Sequence, residues 1–161
     1  MHRYLILLSI LLLAAPVSAA GTPVLFSPGS DSISSTGINE MINGPEGSVI
    51  FATDHGRSEF DGEWTRYYHD PGHPAASPLG NFVRTVEFDA EGNLWIGYSN
   101  GLQILTPQGY TTFNDQQLLK NLAINDLQRR EGEMWVATGR AGVHRYAGRR
   151  WTWYRESQRW W

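Results

Sequence analysis

The chain has 161 residues, a formal net charge of −3 at pH 7 and no cysteine. The lack of cysteine excludes disulfide bonds and thiolate metal sites, and mild acidity without a basic run argues against nucleic acid as a partner. The length suffices for one domain with a substantial core, which packing alone must stabilise.

The first 20 residues predict a secretory signal peptide. Arg3 is followed by an apolar run from Tyr4 to Ala15 and then by small residues, which are the three parts of such a signal. The run is shorter than the roughly 20 apolar residues that span a bilayer, although an uncleaved anchor is the alternative. We expect cleavage after Ala19 or Ala20, a periplasmic or secreted protein, and no membrane insertion of the mature chain.

Three copies of one unit follow the signal. Their turn glycines Gly47, Gly92 and Gly132 lie 45 and then 40 residues apart, a spacing typical of one four-stranded propeller blade. Each copy begins with an alternating apolar and polar strand, continues through a glutamate–glycine turn into a more apolar strand, and ends in an aromatic strand. A second glycine leads into the third strand of each copy; these glycines are Gly56, Gly101 and Gly142.

These patterns predict an all-β chain of about three four-stranded antiparallel blades, which form an incomplete or partial propeller. Before the first blade, residues 21–37 resemble the outer strand of a preceding blade, near Val24–Phe26, and a linker. The predicted segments are blade 1 over residues 38–68, a loop over 69–82, blade 2 over 83–114, a loop over 115–123, blade 3 over 124–155 and a tail over 156–161.

Tryptophan recurs in register within the repeats. Trp95 and Trp135 occupy the position that Ile50 holds in the first copy, inside the second strand. Large aromatic residues at such interior positions are expected to pack between blades. A stacking platform for carbohydrate is the alternative interpretation of the same residues.

The second copy resembles the two-component regulator propeller repeat, on the sequence Asp89-Ala90-Glu91-Gly92-Asn93-Leu94-Trp95-Ile96-Gly97 followed by Asn100-Gly101-Leu102. The resemblance covers roughly residues 38–154. It implies a propeller of the type carried by extracytoplasmic sensor regions of hybrid histidine kinases and by stand-alone exported proteins. The membrane helix and signalling domains of the kinase-type relatives are not in the sequence, so we expect no kinase activity from it.

Three blades leave an open arc, since known propellers have about four to eight. An open arc exposes strand edges and an apolar face. We expect that the natural chain is longer, that two copies form a six-bladed ring, or that the arc packs on a partner. The terminal Trp160 and Trp161 favour the first alternative, because exposed tryptophans are costly to hydrate.

Loops on one face of the propeller form the predicted ligand site. Polar loops of this kind fit a polar small molecule or a glycan, and solvated loops without a ligand are the alternative. The candidate residues are Asp54, His55, Arg57, Asn100 and Arg140 after the second strands, and His69 and His73 between blades.

No pattern in the sequence predicts catalysis. The residues His69-Asp70-x-x-His73 do not predict a zinc site, because Pro71 and Pro74 place them in a loop that does not align three ligands. Neither a nucleophile elbow nor a phosphate-binding loop occurs. We predict a non-enzymatic sensor module without metal or cofactor. The alternative is a structural or protein-interaction propeller of an envelope assembly, and a protein partner or self-association is expected.

Overall fold

The computed structural model describes residues 32–113, 119 and 121–156. Within them, twelve strands form three antiparallel sheets of four strands each, which confirms the predicted all-β fold. The predicted signal peptide, the strand near Val24–Phe26, most of the second inter-blade loop and the end of the tail lie outside the described residues.

Each sheet is one blade, and its strands pair in chain order. The first strands lie side by side, β1 next to β5 and β5 next to β9, so the blades radiate from them. Blade 1 contains β1 (Ile38–Asn43), β2 (Val49–Thr53), β3 (Gly56–Phe60) and β4 (Trp64–Tyr67). Blade 2 contains β5 (Val83–Phe88), β6 (Leu94–Tyr98), β7 (Gly101–Thr106) and β8 (Gly109–Thr112). Blade 3 contains β9 (Ile124–Arg130), β10 (Glu133–Thr138), β11 (Val143–Ala147) and β12 (Arg150–Tyr154).

The turn after each first strand needs its glycine. Gly47, Gly92 and Gly132 have φ values of 85°, 82° and 78°, in the left-handed region that side chains disfavour. In blade 3, Glu131 also has a positive φ of 52°, which makes Glu131-Gly132 a two-residue turn of the type that joins tightly twisted hairpins.

In blade 2 the corresponding turn is longer and is organised by one carboxylate. Asp89 accepts hydrogen bonds from the main-chain N–H groups of Glu91 and Asn93, at 3.0 and 2.8 Å. It also accepts one from the indole N–H of Trp95, at 3.0 Å. The aspartate of the repeat motif therefore has a structural role, as turn-forming aspartates commonly do.

Two hydrophobic cores hold the three blades together, because alternate side chains of β6 face opposite sides of the sheet. Leu94, Ile96 and Tyr98 pack against blade 1. Trp95 packs against blade 3, where it is only 1% exposed, and this confirms its predicted role between blades. The same prediction is wrong for Trp135 within the described blades. Trp135 is half-buried and lies on the side of blade 3 that faces away from blade 2, since its neighbours Met134 and Val136 belong to the core with blade 2.

Among the described residues, no helix is long and apolar enough to cross a membrane.

Candidate functional site

In every blade, the turn between the second and third strands is bonded to the residue that precedes the first strand. The N–H of Asp54 donates to the carbonyl of Gly37 at 3.0 Å. The N–H of Ser99 donates to Phe82 at 3.3 Å, and that of Gly139 donates to Ala123 at 2.9 Å. Because the bond recurs at the same place, the three turns lie on one side of the blades, beside the starts of β1, β5 and β9. We call this side the inner rim.

A cavity of about 230 Å³ opens at the inner rim. Its lining residues are Asn39, Phe82, Arg84 and Asn125. Asn39, Arg84 and Asn125 are the second residues of β1, β5 and β9, so they occupy one equivalent position in the three blades. Phe82 is 41% exposed and adds an apolar surface next to them. The repeat thus gathers two amides and a guanidinium around one opening.

Arg84 is the chemically most distinctive group of the cavity. Its side chain is half-buried, and its Nε, like those of Arg57 and Arg145, is enclosed without a hydrogen-bond partner among the described residues. The other arginines in the described segments that are not exposed all have a partner. Arg57 pairs with Glu59 and Arg145 with Glu133, each at 3.4 Å, and Arg66 also makes a polar or ring contact. The cavity therefore presents a cation that forms no ion pair with a described side chain.

Several of the predicted loop residues lie on the inner rim. Asp54 and His55 form the turn before β3, Asn100 the turn before β7, and Arg140 part of the turn before β11. The Asp54 carboxylate accepts a hydrogen bond from the Ser35 hydroxyl. The structure thus brings Asp54, His55, Asn100 and Arg140 to the same rim as the cavity.

Arg57 lies elsewhere than on the predicted loop surface. It belongs to β3, its side chain is 3% exposed, and its guanidinium lies over the ring of Tyr67 at 3.7 Å. Because side chains alternate between the two faces of a strand, the side chain of Arg57 points into the interface between blades 1 and 2, although the residue lies close to the turn. Glu59 lies 3.4 Å from the guanidinium and matches its charge there.

His69 and His73 are held by contacts within their own loop. The Nδ1 atom of His69 lies 2.7 Å from the carbonyl oxygen of Pro78, and that of His73 lies 2.8 Å from the Asp70 carboxylate. The hydrogen bond from His73 lowers the pKa of Asp70. Asp70 and His73 line a groove beside Tyr110 on the outer strand of blade 2, so they do not contribute to the cavity. No group of three or more metal-binding side chains occurs among the residues described.

None of the four residues of the cavity was among the site residues predicted from the sequence. Asn39, Arg84 and Asn125 read as ordinary solvent-facing positions of alternating strands when each copy is taken alone. The available signal was their equivalence, because polar residues at one repeat position must meet when the first strands of the blades lie side by side.

Residues 77–100 match the family model described as two component regulator propeller. The match confirms the resemblance seen in the second copy of the repeat. The matched segment includes both Arg84 and Asn100. A comparison with curated proteins found no match.

Solved structures show the β-propeller fold. An extracellular domain described as part of a hybrid two component system from B. thetaiotaomicron aligns with a TM-score of 0.65 and 23% identity, over 82% of this chain and 18% of that one. An extracellular domain described as part of a one component system from the same organism gives 0.62 and 17%, over 79% and 17%. YCF48 bound to D1 peptide gives 0.51 and 17%, over 74% and 40%. The chain therefore spans less than a fifth of the length of the two extracellular domains.

Proposed function

We propose that this protein is a non-enzymatic ligand-binding module of an extracytoplasmic sensor propeller, and that it recognises a polar small molecule or a glycan at the inner rim. The observation that carries the proposal is the cavity in which Asn39, Arg84 and Asn125 meet from one equivalent position of three blades. A small number of polar groups beside an apolar surface is the usual composition of a site that orients a small ligand.

The cavity has unused hydrogen-bonding capacity. Asn39 donates from Nδ2 to the carbonyl of Val83 at 2.7 Å, which fixes its amide and leaves Oδ1 as an acceptor. Arg84 contributes donors without a described acceptor. Ligand hydroxyls can therefore exchange hydrogen bonds with both side chains, while the Phe82 ring covers an apolar part of the ligand.

The likeness to extracellular domains of signalling systems supports the sensor role and the extracytoplasmic location. The predicted signal peptide supports the same location. The family match describes a regulator propeller, which favours recognition over catalysis.

Ligand screening of the full chain tests the proposal. A panel of glycans and small polar molecules would be screened first, and hits would be titrated by calorimetry. Asn125→Ala is expected to weaken a hit about fivefold, because a neutral hydrogen bond is worth about 1 kcal/mol. Asn43→Ala is the matched control, because Asn43 is an exposed asparagine at the far end of a first strand. An empty panel, or equal affinity of both variants, contradicts the proposal.

A protein-interaction role is the second candidate. The side of blade 3 that faces away from blade 2 is covered by no other described blade, and it presents Trp135 stacked on Tyr154 at 5.7 Å, with the Arg145 guanidinium 5.8 Å from the indole. Tryptophan, tyrosine and arginine are the residue types enriched at binding hot spots. A reproducible protein partner or a self-associated species that Trp135→Ala abolishes, together with no ligand hit, would replace the sensor proposal by this one.

A further inference from the structure

We propose that the inner-rim cavity binds a carboxylate-bearing ligand, either a free sugar acid or a uronic-acid unit of a glycan, and that Arg84 holds the carboxylate. The inference rests on the proposed function and adds the charge of the ligand to it.

Arg84 has no counter-ion among the described side chains. Withdrawing part of a guanidinium from water is costly unless an anion and hydrogen-bond acceptors replace the water. Arg57 and Arg145 each have a counter-anion, because Glu59 and Glu133 lie 3.4 Å from their guanidinium groups. Arg84 has no such acceptor in the described residues and lines an open cavity, so its counter-anion is expected to come from a ligand.

The anion that suits Arg84 best is a carboxylate. The planar fork of a guanidinium matches a carboxylate in a bidentate geometry. The residues that directly follow the two cavity asparagines are acidic, Glu40 after Asn39 and Asp126 after Asn125. Glu40 accepts a hydrogen bond from the Val86 N–H at 2.7 Å and so remains close to the first strand of blade 2. Negative charge on residues next to the cavity asparagines disfavours a doubly charged phosphate more than a singly charged carboxylate.

The volume and the lining of the cavity limit the size and polarity of the ligand. A cavity of about 230 Å³ lies below the range of roughly 300–1,000 Å³ typical for drug-sized ligands. One sugar-sized unit therefore suits it better than a large ligand. The exposed part of Phe82 lies beside the polar groups and can cover the apolar side of such a ring.

Calorimetric titration of the full chain tests the inference with matched probes. Galacturonate and glucuronate carry the carboxylate, galactose and glucose lack it, and a galacturonate trimer represents the glycan source. We expect a uronate to bind about tenfold or more tightly than its neutral counterpart, because hydrogen bonds to charged groups are the stronger ones. Tighter binding of the trimer than of the monomer identifies a glycan, and equal binding identifies a free sugar acid.

Variants assign the effect to Arg84. Arg84→Gln is expected to lose about tenfold or more in uronate affinity and clearly less in affinity for the neutral sugar, which loses only hydrogen bonds to hydroxyls. Arg129→Gln is the matched control, because Arg129 is an exposed arginine near the far end of a first strand. Arg84→Gln is also expected to unfold at the wild-type temperature, since its guanidinium has no described partner to lose.

The outcomes separate this inference from the proposed function. Equal binding of uronate and neutral sugar, with loss in Asn125→Ala, overturns the carboxylate inference and leaves the proposed function standing. Unchanged uronate affinity in Arg84→Gln, or a large fall in its unfolding temperature, also overturns it. No binding of any probe and no hit in the wider panel overturn both.

Discussion

Blades 1 and 2 meet through a different chemistry from blades 2 and 3, although the repeat places equivalent positions at both interfaces. Ile50 of blade 1 and Trp95 of blade 2 occupy the same position of the repeat. Ile50 pairs with Glu59 across its hairpin and Trp95 pairs with Ile104, so Glu59 and Ile104 are also equivalent. The repeat thus determines the backbone of each blade, while the side chains at the interfaces are free to vary.

The interface between blades 1 and 2 contains a buried charge. Arg57 lies over the Tyr67 ring and 3.4 Å from Glu59, which also accepts a hydrogen bond from Ser48 at 3.0 Å. Burial raises the pKa of Tyr110, and the nearby Arg57 charge opposes that shift. This interface depends on matched polar partners.

The interface between blades 2 and 3 is aromatic. The ring centroid of Trp95 lies 5.5 Å from that of Phe113, 5.3 Å from Tyr146 and 6.0 Å from Trp151. Tilted and edge-on contacts at these distances are the favoured geometries of aromatic pairs. This interface depends on packing.

Truncating the aromatic interface is expected to have the largest effect. Trp95→Ala should lower the free energy of unfolding by about 3–5 kcal/mol, because it leaves a cavity between two blades. Trp135→Ala is the matched control at the same repeat position, and it should cost less than about 2 kcal/mol because Trp135 is only half-buried. Urea titrations followed by circular dichroism measure both, and equal losses would contradict the distinction.

Breaking the charged interface should have an intermediate effect. Glu59→Gln should lower the free energy of unfolding by about 2–3 kcal/mol, less than for a fully buried pair because Glu59 is 26% exposed. The loss arises because Arg57 keeps its charge without a counter-ion. In the double variant Arg57→Met, Glu59→Gln the buried charge is removed, so part of the loss should be recovered in the same urea titrations. A double variant less stable than Glu59→Gln would show that Arg57 acts mainly through its packing on Tyr67.

The smallest expected effect is the pH dependence of stability that His144 confers at the interface between blades 2 and 3. His144 is fully buried, its ring stacks on that of Trp153 at 5.7 Å, and neither ring nitrogen has a hydrogen-bond partner among the described residues. Burial lowers its pKa below the ordinary value of 6.5. Below pH 6.5 the unfolded chain therefore binds a proton that the folded chain excludes, so stability falls as the pH falls.

Urea titrations between pH 7.5 and pH 5 check this prediction. His144→Gln should remove part of the fall, since glutamine does not titrate and Gln103 occupies the equivalent buried position in blade 2. An identical pH profile in the variant would assign the fall to titratable groups other than His144.

The sequence was sufficient for the blades but not for the site. Turn glycines such as Gly132 and in-register residues such as Trp95 act locally or through the repeat, so their roles could be predicted from spacing. The burial of Arg57 depends on which side of β3 faces blade 2. Its position next to a turn therefore led to the wrong prediction of an exposed loop residue. Arg84 became a candidate only when three first strands were placed side by side, which is information that no single copy contains.

The turn-to-strand hydrogen bond at the inner rim uses only main-chain atoms, and three different residues, Asp54, Ser99 and Gly139, make it. Substitutions in these turns can therefore change charge and hydrogen-bonding capacity without shifting the backbone that presents them. A lineage that duplicates such a unit acquires a new exposed turn with each copy, and selection can adjust that turn while the remaining blades stay as they are. Diversification of the turn side chains is thus separable, blade by blade, from the maintenance of the fold.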